Sequence, residues 1–174
     1  MERILIVVDM QNDFVDGALG TKEAAAVVDR VVSKIKACSG RIAATMDTHQ
    51  ENYLETAEGK KLPVPHCIKM TQGWQLNEKV RQALSEKNYI TIEKGTFGST
   101  DLAAWIGRIL EEKEIEVELA GLCTDICVVS NALLLKAHFP EMRILVDADC
   151  CAGVTPETHL AALETMKMCQ IDII

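Results

Sequence analysis

Apolar residues gather in five short runs along the chain: 4–9 (ILIVVD), 41–47 (RIAATMD), 89–94 (YITIEK), 115–121 (IEVELAG) and 143–149 (RILVDAD). Each run is nearly continuous rather than alternating, which is how strands buried on both faces read. Between them apolar positions recur at helical spacing, predicting helices over 22–37, 75–86, 101–112, 125–138 and 156–169. In the first helix the apolar stripe is Ala26, Val27, Val31, Val32 and Ile35. Strands alternating with helices imply right-handed crossovers and a mainly parallel sheet. The expected architecture is therefore a three-layer α/β/α, Rossmann-like fold with five strands, or six if IDII at 171–174 pairs.

No repeat, low-complexity tract or linker interrupts the alternation, so 1–174 is expected to form a single domain. The break in the pattern is 48–73 (THQENYLETAEGKKLPVPHCIKMTQG), a long polar connection. Loops of this length inside a compact α/β domain are usually functional. Open parallel sheets bind ligands beyond the carboxyl ends of their strands. Those ends here carry Asp9, Asp47, Lys94 and the turn from Leu122 to Cys127.

Composition narrows the function classes. The net charge is -8 and the Lys and Arg residues are scattered, which argues against a nucleic-acid or anionic-membrane surface. The opening MERILIVVDM is too short for a signal-peptide core, and no run approaches the roughly 20 residues of a membrane span. A cytoplasmic location is the expectation. The seven cysteines, Cys38, Cys67, Cys123, Cys127, Cys150, Cys151 and Cys169, form no CxxC. In a reducing compartment most of them read as small buried hydrophobes.

The stretch 118–139, ELAGLCTDICVVSNALLLKAHF, is different in kind. It reads as a strand, a tight turn and a helix, with Thr124 or Asp125 as the helix cap and Cys127 in the first turn. The positive end of a helix favours thiolate, and the backbone N–H groups of such a turn can hold an oxyanion. Cys123 reads equally well as a packed core residue. A thiol nucleophile works with a base that takes its proton and a cation that steadies the charge. Asp9 and Lys94, at two other strand ends, would complete such a cluster, although singly each also reads as a turn residue or a solvated charge. His138 and His159 lie on helical segments away from the strand ends and read as surface or structural.

Three motifs, ILIVVDMQNDFVDGALG, EKGTFGSTDL and GLCTDICVVSNALLLKAHFP, occur in order across most of the chain. Together they resemble the isochorismatase-like cysteine hydrolase superfamily, in its nicotinamidase-like branch. That resemblance implies a catalytic triad of Asp9, Lys94 and Cys127, a cis peptide between Leu122 and Cys123, and an oxyanion hole from the N–H groups of Cys123 and Cys127. It also implies a metal site at Asp47, His49 and His66, with Glu58 as a further candidate ligand. Asp47 and His49, two residues apart at a strand end, project to the same side. One carboxylate with two imidazoles suits zinc first, and iron or manganese in an octahedral site.

Phe14 matches a pocket aromatic of that branch, with Phe97, Leu122 and Ile126 as further walls. Where many members carry an aromatic before the second metal histidine, this chain has Leu62, Pro63 and Val64, leaving Tyr53 and Trp74 as substitutes. The expected reaction is hydrolysis of a small amide through a thioester, nicotinamide to nicotinate plus ammonia leading. Another small amide or ureide, or an isochorismatase-type hydrolysis, is the alternative; a non-catalytic binding protein is the reading from a different class. Family habit and the apolar LLLKAHFP segment suggest a homo-oligomer.

Overall fold

The computed structural model describes residues 2–111 and 114–174. Among them are the strands β1 (Glu2–Val8), β2 (Arg41–Asp47), β3 (Tyr89–Lys94), β4 (Ile115–Leu122), β5 (Arg143–Ala152) and β6 (Asp172–Ile173). They form one sheet, parallel throughout, in the order β3-β2-β1-β4-β5-β6. The helices are α1 (Asn12–Val15), α2 (Lys22–Ala37), α3 (Ala57–Lys61), α4 (Glu78–Ser85), α5 (Thr100–Leu110), α6 (Val129–His138) and α7 (Pro156–Met168).

Strand β1 explains why the apolar runs are continuous. Ile4, Ile6 and Val8 enter a core shared with α5, α6 and α7, while Leu5 and Val7 enter a second core shared with α1, α2 and α4. Burying such a side chain contributes about 1.5–3 kcal/mol relative to leaving it in water. The helices therefore cover both faces, as the alternation predicted. No helix among the described residues is long and apolar enough to cross a membrane.

Several expected boundaries move, each for a local reason. The buried stripe of α2 is Ala24, Val27, Val28, Val31 and Ile35, with Ala26 exposed. Ala24 stands three and seven residues before Val27 and Val31 and so shares their face; Ala26 does not. The helix expected from 75 begins at Glu78, because Asn77 accepts the Lys79 N–H and Leu76 pairs instead with Gln11. Helix α5 starts at Thr100, where Ser99 Oγ accepts the Leu102 N–H. Its expected last residue, 112, lies outside the described residues. The connection 48–73 is not structureless, since it holds a 3-10 turn (Tyr53–Glu55) and α3, capped by Thr56.

Strand β4 breaks the apolar pattern at Glu116 and Glu118, both buried. Arg3 and Arg143 pair with Glu116 at 2.8 and 2.6 Å, and Lys34 of α2 pairs with Glu118. Buried charges persist where such partners meet them.

From β1 the chain builds β2 and β3 to one side and β4, β5 and β6 to the other. The carboxyl ends of β1 and β4 thus flank the switch point, where open parallel sheets hold their ligands. Gly121 lets the two strands close there. Its φ is 129°, and a Cβ would lie 2.1 Å from the Val8 carbonyl oxygen.

Candidate functional site

Asp9 is the first residue beyond β1, held at a φ of 46°. The Thr45 hydroxyl of β2 donates to its Oδ1 at 2.6 Å. Its Oδ2 lies 2.6 Å from the ammonium of Lys94, the last residue of β3, and among the described residues has no well-directed hydrogen bond beyond that ion pair. Lys94 Nζ also donates to the Cys127 sulfur at 3.4 Å and the Thr96 carbonyl at 3.1 Å, and stands 3.7 Å from Asp47 Oδ1. Asp9, Lys94 and Cys127 are all buried. The three residues expected to work together are thus in one cluster, with Lys94 touching both others.

The electrostatics of the cluster alter one expectation. Burial raises the Asp9 carboxyl above its ordinary value, against the opposing charge of Lys94. Burial, with Asp9 nearby, also lifts the Cys127 thiol well above its ordinary range, although Lys94 pulls the other way. That direction favours the neutral thiol over the thiolate expected from a helix end. Withdrawal from water and a neighbouring carboxylate outweigh the local dipole. A carboxylate base beside it becomes a requirement of the chemistry.

The expected cap also fails. Residues Thr124–Val128 form a single π turn ahead of α6, closed by Val128 N–H to the Cys123 carbonyl at 3.0 Å. Such turns recur at functional sites. Neither Thr124 nor Asp125 caps it. The Thr124 hydroxyl lies 2.8 Å from His159 Nδ1, and the Asp125 carboxylate accepts the Val154 N–H at 3.1 Å. His159, expected to be surface or structural, braces this turn from α7.

The peptide from Leu122 to Cys123 is cis, and among the described residues the Cys123 N–H meets no acceptor. Burial pushes the Cys123 thiol up to about 12, although Lys94 pulls the other way.

Asp47, the last residue of β2, stands against two imidazoles: His49 Nε2 is 2.9 Å from its Oδ2 and His66 Nε2 is 3.5 Å away. The loop folds back to bring these together, with His49 N–H bonded to the Cys67 carbonyl and Lys69 N–H to the His49 carbonyl. The three donor atoms lie within 4.8 Å of one another, a candidate divalent-metal site. His66 gives its Nδ1 to the Val64 carbonyl at 2.8 Å, which leaves Nε2 facing the cluster as a ligating histidine requires. Glu58 Oε1, from α3, stands 3.8 and 3.7 Å from the two Nε2 atoms. One carboxylate, two imidazoles and a nearby second carboxylate fit a divalent cation.

A cleft of ≈ 770 Å³ opens beside these groups, walled by Leu62, Phe97 and Ile126 and edged by Glu58, Lys61 and Asp125. Phe97 and Ile126 therefore stand where expected. Leu122 does not: it is fully buried in the core under the site, because β4 is covered on both faces to its end. Phe14 packs against His66 with ring centres 5.5 Å apart. Tyr53 backs the metal cluster, edge-on to His49 and His66, with its hydroxyl on the Leu62 carbonyl. Trp74 is tied to Thr48 through its indole N–H. Neither lines the cleft.

Sequence reasoning missed the polar residues that hold the site from behind. Gln11, fully buried, donates to the Asp47 and Trp74 carbonyls and accepts the Asp47 N–H, each at 2.8 Å. Asp13 accepts the Cys67 N–H at 2.7 Å, anchoring the segment that carries His66. Thr45 lies two residues before Asp47 on the same face of β2, a spacing visible in the sequence. Gln11 lies inside the opening motif, where nothing in the sequence gives it a role.

Comparison with known proteins agrees with this geometry. The family described as "Isochorismatase domain" matches residues 3–174. A nicotinamidase/pyrazinamidase of Mycobacterium tuberculosis is 29% identical, the match covering 99% of this chain and 98% of that protein. The crystal structure of a nicotinamidase/pyrazinamidase from Bacillus subtilis superposes with a TM-score of 0.87 at 26% identity, over 99% of each chain. That of a Pyrococcus horikoshii pyrazinamidase in complex with zinc gives 0.76 at 30% identity, over 100% of this chain and 99% of the other.

Proposed function

This chain belongs to the isochorismatase family and is a nicotinamidase-like cysteine hydrolase acting on C–N bonds; on that premise we propose that it converts nicotinamide to nicotinate and ammonia. The observation that carries the proposal is the buried Lys94 ammonium in contact with both the Asp9 carboxylate and the Cys127 sulfur. Asp9 takes the thiol proton as the sulfur attacks the amide carbonyl carbon. The N–H groups of Cys123 and Cys127 receive the developing oxyanion, as preorganised donors do in acyl transfer. Asp9 then passes its proton to the departing nitrogen, which leaves as ammonia, and a thioester remains on Cys127. Water attacks the thioester with Asp9 again as base, releasing the acid and restoring the thiol. Lys94 holds carboxylate and sulfur in register throughout.

In the same reading Asp47, His49 and His66, with Glu58, hold a divalent cation. Zinc is favoured by the zinc complex of the Pyrococcus relative, and iron or manganese would also suit the donors. Such an ion supplies Lewis acidity and an anchor for the substrate's polar atom. Phe14, Phe97 and Ile126 would enclose the ring. The span 1–174 is proposed to act as one hydrolase domain, in the cytoplasm and as a homo-oligomer, which light scattering would test.

A second reading, hydrolysis of another small amide or ureide, is favoured by the cleft itself. Phe97 is the one aromatic among its described lining residues, beside the charged Glu58, Lys61 and Asp125. Ammonia release from nicotinamide, pyrazinamide, aliphatic amides and ureides separates the two. Wild type is expected to turn over nicotinamide and Cys127→Ala to release nothing. Ammonia from Cys127→Ala at the wild-type rate would overturn the nucleophile, and a ureide preferred over every pyridine amide would overturn the substrate.

A further inference from the structure

Asn131 sits four residues beyond Cys127, fully buried on α6, and its amide bonds three separate backbone groups. Its Nδ2 donates to the Cys127 carbonyl at 2.8 Å and to the Phe97 carbonyl at 3.2 Å. Its Oδ1 accepts the Ser99 N–H at 3.0 Å. One side chain thus joins the turn that carries the nucleophile to the loop that carries the apolar wall of the cleft.

That loop has few other ties. Phe97 is 42% exposed and lies between Gly95 and Gly98, two residues with no side chain to pack. Lys94 holds the loop's start at the Thr96 carbonyl, and Ser99 closes its end by capping α5. Asn131 grips the middle and the end together. A fully buried amide with three partners is a rigid link, because any displacement leaves a polar group unpaired away from water.

We propose that Asn131 is a positioning residue for substrate selection: it fixes the distance between the Phe97 wall and Cys127, and so sets the pocket for an aromatic amide over a small aliphatic one. The inference rests on the amidase reading above and adds a residue outside the expected triad, metal and pocket sets. Asn131 does not touch the reacting atoms; it acts through Phe97.

The test is a double-mutant cycle with Asn131→Ala and Phe97→Ala, read on nicotinamide and on a short aliphatic amide. Asn131→Ala is expected to raise KM for nicotinamide about tenfold, with the loss falling on KM more than on kcat and sparing the aliphatic amide by comparison. In the Phe97→Ala background the same substitution is expected to add less than about twofold, since coupled neighbours are non-additive. A loss equal for both substrates, or additive with Phe97→Ala, would mean a merely structural role and overturn the proposal. If Asn131→Ala lacks a cooperative melting transition, Asn131→Ser carries the same cycle. Amide hydrogen exchange gives a readout independent of turnover: Ser99 is expected to exchange faster in the variant than in wild type, and unchanged exchange would overturn the link. A wild type that hydrolyses no amide would overturn the amidase reading and this one with it; wild-type turnover with a loss equal for both substrates would overturn this one alone.

Discussion

Replacing Lys94 by Met isolates the strongest electrostatic dependence in the site. The substitution keeps an unbranched side chain, one atom shorter, and removes the ammonium that lies 2.6 Å from the Asp9 carboxylate. Asp9 is wholly buried, with the Thr45 hydroxyl still donating to it. Stripping one partner from a buried pair typically costs about 3–5 kcal/mol. An independent ceiling comes from protonation. Rather than bear a larger penalty, Asp9 takes up a proton, which from an unfolded value of 3.8 costs about 5 kcal/mol at pH 7.5. The two figures agree. For a chain of this size they correspond to a fall in Tm of about 6–20 °C.

The sign with pH follows from the same group. A carboxyl whose folded pKa is raised above its unfolded value favours the fold below that unfolded value, and the benefit is lost as pH rises through the folded pKa. Burial raises Asp9, so the deficit of Lys94→Met should shrink toward acid. At pH 5 the protonation ceiling is only about 1.6 kcal/mol. The assay is chemical denaturation of wild type, Lys94→Met and Asp9→Asn/Lys94→Met, with chelator present throughout. The double variant should recover most of the lost stability while remaining inactive. A single variant within about 1 kcal/mol of wild type at pH 7.5, or a deficit unchanged from pH 5 to 8, would refute Lys94 as the buried counter-charge.

Three further outcomes are expected. Gln11→Ala should weaken metal binding about 10–100-fold, because the Asp47 backbone loses both of its hydrogen bonds to that side chain; Asp47→Ala should abolish metal content by elemental analysis, and unchanged content would refute the ligand set. Alkylation followed by mass spectrometry should label exposed Cys169 first, with Cys127 labelling rising from pH 7 to 9 because its thiol is raised; equal rates for the two at neutral pH would contradict a protonated resting sulfur.

The sheet was legible because β1 and β2 are buried on both faces almost throughout, and a short apolar run bounded by polar residues suits little else than a covered strand. The residues at the strand ends were legible for a related reason: Asp9, Asp47 and Lys94 are polar where such runs stop. What escaped was held by contacts without periodicity. Gln11 reaches Asp47 and Thr45 reaches Asp9, each across 36 positions of sequence. Asn131 joins loops on two different crossovers. The π turn at Thr124–Val128 has the composition of an ordinary helix start, and only its backbone bonding distinguishes it. Thr124 and Asp125 looked like caps because their side chains can cap, but His159 and Val154 from the next crossover claim them.

The sheet order also dictates which side chain can serve as the cation. Lys94 ends the edge strand β3, and its register partner Asp47 ends β2, which stands between it and β1. Neighbouring strands are about 4.8 Å apart, so the charge must cross roughly 10 Å to reach Asp9. The four-carbon stem of Lys94 and the side chain of Asp9 close that gap together; a shorter stem would stop above β2 and serve Asp47 instead. The same arrangement hangs catalytic competence on a strand with a neighbour on one side only. Loosening β3 at its last register pair would withdraw the ammonium from the proposed base and nucleophile at once, with β1, β4 and the hydrophobic cores still in place. Activity should then fade on warming before the fold does, with the edge strand acting as the fuse.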